Sequence, residues 1–344
     1  MSARNVQAAK AALFQQLANA ARNGLPLAEV VRVLVEDDQW TRGARAGLQR
    51  VATRLEAGDA LSAALAVEPK LFATATADLV RHAEALPPVA FADVLATLSA
   101  DARRLAAARR AVAATLAWPM TLGAVLLVEL AACAIAIRPT MQDAFEAMHA
   151  PSPLPAPAGL LLDGGWLALL PVYVVLLLWS LGWLPRAARG SLEAVAETLP
   201  FVARWRSVNA AARLLAWLPA CQSQPGLRPA VAAHLGATDP SARASAAARR
   251  LSGAFGQGQA LVEALDTARA LPARMLLLAR LGERSASLPD VIADLRDDAV
   301  GDEALAFARF ERGCIALSYA LIGVLVALLL VGIYLPIFKI GTLL

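Results

Sequence analysis

The sequence predicts an all-α membrane protein, in which two homologous cytoplasmic helical bundles are joined to three transmembrane helices. Three observations favour this class. The 344 residues are 58% hydrophobic and only 17% charged, whereas an average soluble chain carries about 25% charged residues. Apolar runs long enough to cross a bilayer recur along the chain. The remaining segments are rich in Ala and Leu and lack the alternating pattern of strands.

The order of the predicted elements follows from where these apolar runs begin and end. Charged or Pro-rich segments separate the runs, and Gly and Pro mark the turns between shorter helices. We predict a first bundle at residues 1–114, a first transmembrane helix at 115–137, a short periplasmic loop at 138–165, a second transmembrane helix at 166–184, a second bundle at 185–313, a third transmembrane helix at 314–338 and a periplasmic tail at 339–344.

The first bundle opens with a helix whose apolar residues recur at helical spacing from Leu13 onward. Asn23 and Gly24 are expected to end this helix, because both residues tolerate the left-handed conformation of a helix C-cap. Pro26 then starts the next helix, and Gly58 marks a later turn. The N-terminus lacks a short apolar core with a small-residue cleavage site, so we expect no cleaved signal peptide.

The first predicted span contains one charge, Glu129. An ionised carboxylate inside a bilayer costs about 3 kcal/mol or more unless it is paired or protonated. Two interpretations stay open. Glu129 is either a proton- or ion-linked site, or a structural residue that is hydrogen-bonded to a neighbouring helix or close enough to the interface to reach water. The span region has no second acid to relay a proton, which favours the structural interpretation.

The second and third predicted spans carry the usual marks of membrane helices. Tryptophans at both ends of the second span form an aromatic belt, and Pro171 is a candidate kink. The third span has 24 uncharged residues, 315–338, and a helix of this length covers the roughly 30 Å core of a bilayer. Small residues on one of its faces predict close helix packing: Ala316, Ala320, Gly323 and Ala327.

The distribution of basic residues predicts the topology. Residues 1–114 contain 14 Lys and Arg, residues 138–163 contain 1, and residues 186–313 contain 16. Because basic segments stay on the cytoplasmic side of a membrane, we expect both bundles in the cytoplasm and the loop outside.

Matches between the two bundles predict an internal duplication. The segment that begins Gly58-x-x-Leu61 matches the segment that begins Gly258-x-x-Leu261, at an offset of 200 residues. Further matches occur in the same order at nearly the same offset.

The sequence shows no motif for catalysis, metal binding or cofactor binding. The phosphate-binding loop G-x-x-x-x-G-K-[ST] and the H-E-x-x-H and G-x-S-x-G motifs are absent, and the three histidines do not cluster. The three cysteines are far apart, so neither a disulfide framework nor a zinc site is indicated. A net charge of +4 does not suggest a nucleic-acid binder. Acidic residues between Asp294 and Glu303 indicate a solvated helix face or, alternatively, a contact surface for a basic partner.

Five short elements occur in order along nearly the whole chain: Phe14-x-x-Leu17-Ala18 with Asn23-Gly24-Leu25-Pro26-Leu27; Gly58-x-x-Leu61-Ser62-x-Ala64-Leu65; Leu281-Gly282-Glu283 followed by Leu288; Trp118-Pro119, Arg138-Pro139-Thr140 and Leu199-Pro200-Phe201 around the first two spans; and Leu335-Pro336-Ile337-Phe338. As a set they resemble the type II secretion system F family, the inner-membrane platform proteins (GspF and PilC) of type II secretion and type IV pilus assembly. The chain departs from the family pattern at His82–Pro87 and at Ser287, which suggests a divergent branch such as a type IVb pilus system.

The resemblance implies a non-enzymatic platform in the bacterial inner membrane, without a cofactor. Such proteins use two cytoplasmic six-helix bundles to contact a hexameric assembly ATPase and other inner-membrane assembly proteins. Their membrane helices lie in lipid and pass pilin or pseudopilin subunits into a filament, and the proteins are generally homodimers or higher oligomers. On this resemblance, we expect the ATPase contacts at two turns on the membrane-distal ends of the bundles, at Asn23, Gly24, Pro26, Gly282 and Glu283. The alternative is that these turns only shape their bundles.

Two other classes of protein fit the sequence less well. A small membrane transporter would use Glu129 and the kinked second span, but three spans are few for a pathway and most of the chain lies outside them. A membrane enzyme or signalling receptor would need a catalytic set, and the sequence shows none.

Overall fold

The computed structural model describes residues 3–36, 40–147, 166–181 and 194–343. Helices account for most of these residues and no strand occurs among them, which confirms the predicted all-α class. The chain divides into two compact units, Met1–Arg109 with Arg186–Phe310 and Arg110–Pro185 with Glu311–Leu344. We call the first the head unit and the second the span unit.

Six helices form the first half of the chain: α1 (Ala3–Asn23), α2 (Leu27–Val35), α3 (Arg42–Glu56), α4 (Leu61–Ala66), α5 (Thr74–Glu84) and α6 (Pro88–Ala132). After α1, Gly24 has a φ of 66° and the Leu25 amide donates to the Ala20 carbonyl at 2.9 Å. This is the hydrogen bond of a Schellman C-cap. The helix end predicted at Asn23 and Gly24 is therefore confirmed.

The chain then continues as α7 (Arg138–Ala147), α8 (Trp166–Leu181), α9 (Pro200–Ser223), a short 3₁₀ turn (Pro225–Leu227), α10 (Arg228–Thr238), α11 (Ala242–Gly256), α12 (Leu261–Ala268), α13 (Ala273–Arg284) and α14 (Leu288–Leu343). A π-helical turn, Cys133–Ile137, joins α6 to α7. It ends two residues before Pro139, which lacks the amide hydrogen that a regular α-helix would use at that position. The stretch predicted as a loop from residue 138 is thus helical as far as Ala147.

The two halves of the head unit have matching helix boundaries. Both α3 and α11 follow a hydroxyl N-cap, Thr41 or Ser241, whose oxygen accepts the backbone amide three residues further on at 3.3 Å. Gly58 and Gly258 follow these helices with φ values of 89° and 78°. The positive φ explains the glycine at both positions. The matches found in the sequence therefore fall at equivalent structural positions.

Both halves contribute to one continuous core. Leu17 and Leu79 from the first half and Leu215 and Trp217 from the second are each 0% exposed, and all four belong to the same hydrophobic cluster. One link between the halves is α5, which packs against α10. This helix can serve both halves because its buried residues cover a wide arc: Thr76, Ala77, Leu79, Val80 and Ala83. The two bundles predicted from the sequence thus share their core.

Among the described residues, two helices are long and apolar enough to cross a membrane. They cover residues 88–136 and 288–335, with mean hydropathies of 2.0 and 2.8 over their most apolar segments. They include residues 115–136 of the first predicted span and residues 314–335 of the third. Most of the second predicted span is helix α8, and its residues 182–184 lie outside the described residues.

In the described part of the span unit, α6 contacts both α8 and α14. The Tyr173 hydroxyl of α8 donates to the Met120 carbonyl of α6 at 2.8 Å. A Cβ on Gly123 would lie 3.3 Å from the Tyr173 ring, so the glycine permits this close approach. Leu130 of α6 and Cys133 of the adjoining π-helical turn form a small apolar cluster. Leu169 of α8 and Leu329 of α14 pack against this cluster.

Candidate functional site

The first predicted contact turn, at the end of α1, is open to solvent. Asn23, Gly24 and Pro26 are all exposed, and the Leu25 side chain between them is 55% exposed. The Asn23 side-chain amide donates to the Asn19 carbonyl at 2.8 Å, which holds the asparagine against its own helix. Backbone and apolar surface at this turn are therefore available to a partner.

The second predicted contact turn, at the end of α13, contains one buried residue and one exposed residue. Gly282 is buried, and a Cβ there would lie 2.9 Å from Val291 Cγ2 and 3.3 Å from the Leu288 Cα. The glycine lets α13 approach α14 closely, so its place in the predicted contact set is corrected to a packing role. Glu283, its neighbour in sequence, is exposed and can meet a partner.

Glu129 lies on the exposed side of α6, between the buried Leu126 and Leu130. Among the described residues no hydrogen bond or salt bridge to its carboxylate is found. The neighbouring-helix partner that the structural interpretation allowed is thus not supplied by this part of the chain.

The small residues of the third span lie on an open face of α14. The side of this helix that meets the Leu130–Cys133 cluster carries Leu329 and Ile333. At about 100° per residue, these two lie on the opposite side from the small residues. A Cβ on Gly323 would meet nothing within 4 Å. All four small residues are exposed: Ala316, Ala320, Gly323 and Ala327.

A buried ionic cluster in the head unit escaped the sequence-based prediction. The side chain of Arg213, on α9, is 1% exposed. Its Nε and Nη2 donate to the two oxygens of Asp101 on α6 at 2.7 and 2.8 Å, and its Nη1 donates to Asp239 after α10 at 2.9 Å. Thr238 also accepts from Nη2 at 2.8 Å. The cluster therefore joins the first half of the head unit to the second.

His234 of α10 extends this cluster. Its Nδ1 lies 3.0 Å from the Thr76 hydroxyl on α5, and its Nε2 lies 3.5 Å from Asp101 Oδ2. The Thr76 hydroxyl can donate a hydrogen bond to Nδ1 when the ring proton is on Nε2. Nε2 faces the Asp101 carboxylate but has no hydrogen-bond partner among the described residues. The Trp217 ring lies edge-on at 5.8 Å from the imidazole and closes one side of the site.

The two carboxylates of the cluster have opposite pKa shifts. Burial would raise the pKa of Asp101, but the charge and the paired hydrogen bonds of Arg213 outweigh burial and hold this pKa well below its usual range. Burial raises the pKa of Asp239, and here the single bond from Arg213 does not compensate. Asp101 is therefore the main counter-charge of Arg213.

Comparison with known proteins bears on the first part of the chain. Residues 13–139 match the family model of the type II secretion system (T2SS), protein F. These residues form a T2SS protein F domain. The resemblance read from the sequence motifs is thus confirmed for this segment. A search of curated proteins gave no match.

The F domain contains several of the groups described above. The first contact turn lies within it, as do Glu129, Thr76 and Asp101. Arg213 and His234 lie outside it, so the ionic cluster fastens the F domain to the second half of the head unit. F domains are found in platform proteins of secretion and pilus systems, which associate with the inner membrane.

The described residues show no group of three or more His, Cys, Asp or Glu side chains suited to hold a metal ion. No short sequence motif could have predicted the Arg213 cluster, because its members are spread from residue 76 to residue 239. The one local sign is an arginine within the apolar run Ala210–Trp217, where an unpaired charge would be costly to bury.

Proposed function

We propose that the chain is an inner-membrane platform protein of a type IV pilus or type II secretion machine. In this role it couples a cytoplasmic hexameric assembly ATPase to the insertion of pilin or pseudopilin subunits into a filament. The F-domain match over residues 13–139 carries the proposal. Two helices able to cross a membrane, with one half of the head unit before each of their apolar segments in the sequence, are consistent with it.

The proposal includes a multi-pass topology with the head unit in the cytoplasm. It is supported by the basic residues, which number 14 in residues 1–114 and 16 in residues 186–313 against 1 in residues 138–163. It also includes an internal duplication, supported by the matched N-caps Thr41 and Ser241 and the matched glycines Gly58 and Gly258.

The ATPase contact is proposed at the exposed members of the two turns, Asn23, Gly24, Pro26 and Glu283. Their exposure supports this assignment. Gly282 takes part indirectly, because it sets the distance between α13 and α14 and thereby positions Glu283. Other inner-membrane assembly proteins, lipid and further copies of the chain complete the proposed set of partners. The chain acts as an adaptor that holds no cofactor and performs no catalysis itself.

Co-purification tests this function. The tagged full-length chain, solubilised from membranes that also contain the assembly ATPase of the proposed machine, should retain that ATPase and the pilin-like subunits. Purified alone, it should hydrolyse no ATP, since its sequence contains no phosphate-binding loop. A chain that retains neither partner, or that hydrolyses ATP by itself, would overturn the proposal.

The unpartnered Glu129 supports a second candidate, a small ion-linked transporter. The variant Glu129→Gln separates the two functions, because it keeps a hydrogen-bonding group and removes the titratable one. The platform function predicts normal filament assembly at normal protein level. Lost assembly in Glu129→Gln, but not in the neighbouring control Val128→Gln, would favour the ion-linked function.

A further inference from the structure

Helix α13 of the second half can be compared position by position with α5 of the first half. At an offset of 199 residues, Leu79 and Glu84 match Leu278 and Glu283. Both helices bury the same face, which consists of Thr76, Val80 and Ala83 on α5 and of Met275, Ala279 and Gly282 on α13. The first half therefore shows which side chains the fold itself accepts on the opposite, exposed face.

On α5 the exposed face is polar, and its side chains are bonded within the helix. Asp78 and His82 are both exposed. Asp78 forms a salt bridge with Arg81 at 3.0 Å, and His82 Nδ1 lies 2.8 Å from the Asp78 carbonyl oxygen. Water and these local bonds account for both side chains, so this face of α5 requires no partner.

On α13 the counterparts of these two polar residues are leucines. Leu277 matches Asp78, and Leu281 matches His82. The two leucines are 57% and 52% exposed. Because the matching face of α5 folds with polar side chains, packing within the chain does not explain leucines at these positions. Their exposure to water is also unfavourable, since each apolar side chain gains free energy when it is buried.

An arginine lies at each end of the leucine pair. Arg274 comes three residues before the first leucine, and Arg284 comes three residues after the second. All four side chains share one face of α13, because residues three and four apart are neighbours on a helix. The counterparts of the two arginines in the first half are Ala75 and Ala85. We call these four residues of α13 the leucine face.

Two of the arginines around the leucines already have a partner. Arg280 forms a salt bridge with Asp266, and an Arg274 nitrogen lies 3.8 Å from an Asp298 oxygen. Arg284 is exposed and has no salt bridge among the described residues. The leucines thus lie at the apolar centre of a surface whose charged rim keeps the Arg284 guanidinium available. An apolar centre with a polar rim is the usual composition of a contact between proteins.

We propose that the leucine face docks an amphipathic helix of a partner protein. The partner contributes apolar side chains that cover Leu277 and Leu281, and a carboxylate that pairs with Arg284. A helix fits this face because apolar anchors at helical spacing on one helix meet anchors at the same spacing on another. The inference rests on the proposed duplication, which supplies the comparison with α5, and not on the proposed ATPase coupling.

The charges favour a protein over a bilayer surface as the occupant. An anionic bilayer attracts a protein face through the sum of its basic charges. Here the carboxylates on and beside α13 equal its guanidinium groups in number: Asp266, Glu283 and Asp298 against Arg274, Arg280 and Arg284. A carboxylate at a fixed place on a partner protein can instead pair with the Arg284 guanidinium alone, through two parallel hydrogen bonds.

Photo-crosslinking of the full-length chain in the cells that naturally make it tests the proposal. The crosslinking amino acid benzoylphenylalanine replaces Leu277, and after illumination the crosslinked peptide is mapped by mass spectrometry. We expect a segment of a partner protein with apolar residues at helical spacing and an Asp or Glu beside them. In the matched control the same amino acid replaces Asp78, the exposed counterpart on α5, and the yield of crosslinked protein should be at least fivefold lower.

Two variants of Arg284 test the role of its charge. Arg284→Glu should lower the crosslinking yield at Leu277 at least fivefold, because like charges then face each other, whereas Arg284→Lys keeps the cation and should keep most of the yield. Both variants should melt like the original chain, since the side chain is exposed. Replacing the mapped carboxylate of the partner by Lys should restore the yield in Arg284→Glu.

The proposal is overturned if the products are only lipid or a second copy of this chain, or if no product forms. It is also overturned if the mapped segment has no carboxylate, or if Arg284→Glu leaves the yield unchanged. Retention of the assembly ATPase is measured separately by co-purification. A chain that retains no ATPase but gives the expected crosslink would refute the proposed coupling and leave this contact supported.

Discussion

Arg213→Ala should lower the free energy of unfolding of the head unit much more than Arg22→Ala, which removes an exposed arginine. In Arg213→Ala, Asp101 and Asp239 lose the cation that binds both, and their side chains are only 5% and 9% exposed. Breaking a buried ion pair by removing one partner costs about 3–5 kcal/mol, because the remaining charge stays buried without compensation. We expect the free energy of unfolding of the head unit to fall by about that amount.

The assay is urea unfolding of the full-length chain in detergent, followed by tryptophan fluorescence. Trp217 is 0% exposed and lies beside the cluster, so its environment reports on this region. The matched control is Arg22→Ala. Arg22 also bonds an aspartate, Asp93, at 2.8 Å, but these side chains are 46% and 62% exposed, and exposed pairs contribute less than about 1 kcal/mol. Equal losses in the two variants would refute the reasoning.

The two carboxylates should respond differently to neutralisation. The pKa of Asp101 is lowered in the folded chain, so its stabilising contribution is complete above a pH of about 4 and is lost as the pH falls further. The pKa of Asp239 is raised by burial, so its ionisation costs stability at neutral pH, and this cost disappears as the pH falls. At pH 7, Asp101→Asn should therefore lower the urea midpoint clearly more than Asp239→Asn does.

Three further predictions concern the turns and the topology. Gly282→Ala should lower the free energy of unfolding by about 1–3 kcal/mol, because the added methyl group overpacks against α14. The same urea titration measures this change, and an unchanged midpoint would contradict the close approach of α13 to α14. Glu283→Arg should weaken ATPase retention in pull-downs and leave the thermal melt of the full chain unchanged, whereas a lowered melt would make Glu283 structural. A cysteine at Ser152 should react with an impermeant thiol reagent in intact cells, and one at Ser285 should not. Ser285 suits this test because it is exposed, whereas the N-cap Ser241 is buried and would be unreactive on either side.

Local sequence signals predicted the helical class and several helix ends correctly. The end of α1 at Asn23 and Gly24 could be predicted because a Schellman cap depends on residues that are adjacent in sequence. The matched turns at Gly58 and Gly258 could be predicted for the same reason. In each case a single residue type satisfies a backbone requirement, and the pattern is visible without knowledge of the packing.

What the sequence did not predict depends on contacts between distant segments. Gly282 was expected at a contact turn, but a Cβ there would lie 2.9 Å from Val291 Cγ2. Val291 is nine residues further along the chain, and no local pattern shows which face of α13 meets α14. The shared core of the two halves was missed for a related reason. The apolar arc of α5 is wide enough for two neighbours, yet a wide arc in a short helix also fits a helix buried within a single bundle.

The shared core changes how the second half can be studied. A fragment of residues 186–313 would lose Asp101 as the partner of Arg213 and Thr76 as the partner of His234. It would also expose Leu227 and the apolar face of α10. Measurements on such a fragment would therefore mix the loss of these contacts with the effect of any substitution, and the full chain is the appropriate sample.

The ionic cluster also determines how the two halves align. Stability alone does not account for it, because well-packed apolar residues can replace a buried ion pair without loss. The planar guanidinium of Arg213 requires two oxygens of Asp101 on one edge and Asp239 at another nitrogen. A shift of α6 by one helical turn along α9 would move Asp101 by about 5.4 Å and leave buried charges without partners. Apolar contacts between Ala- and Leu-rich helices penalise such a shift far less, since one small apolar side chain replaces another. The cluster therefore fixes the register in which the F domain meets the second half.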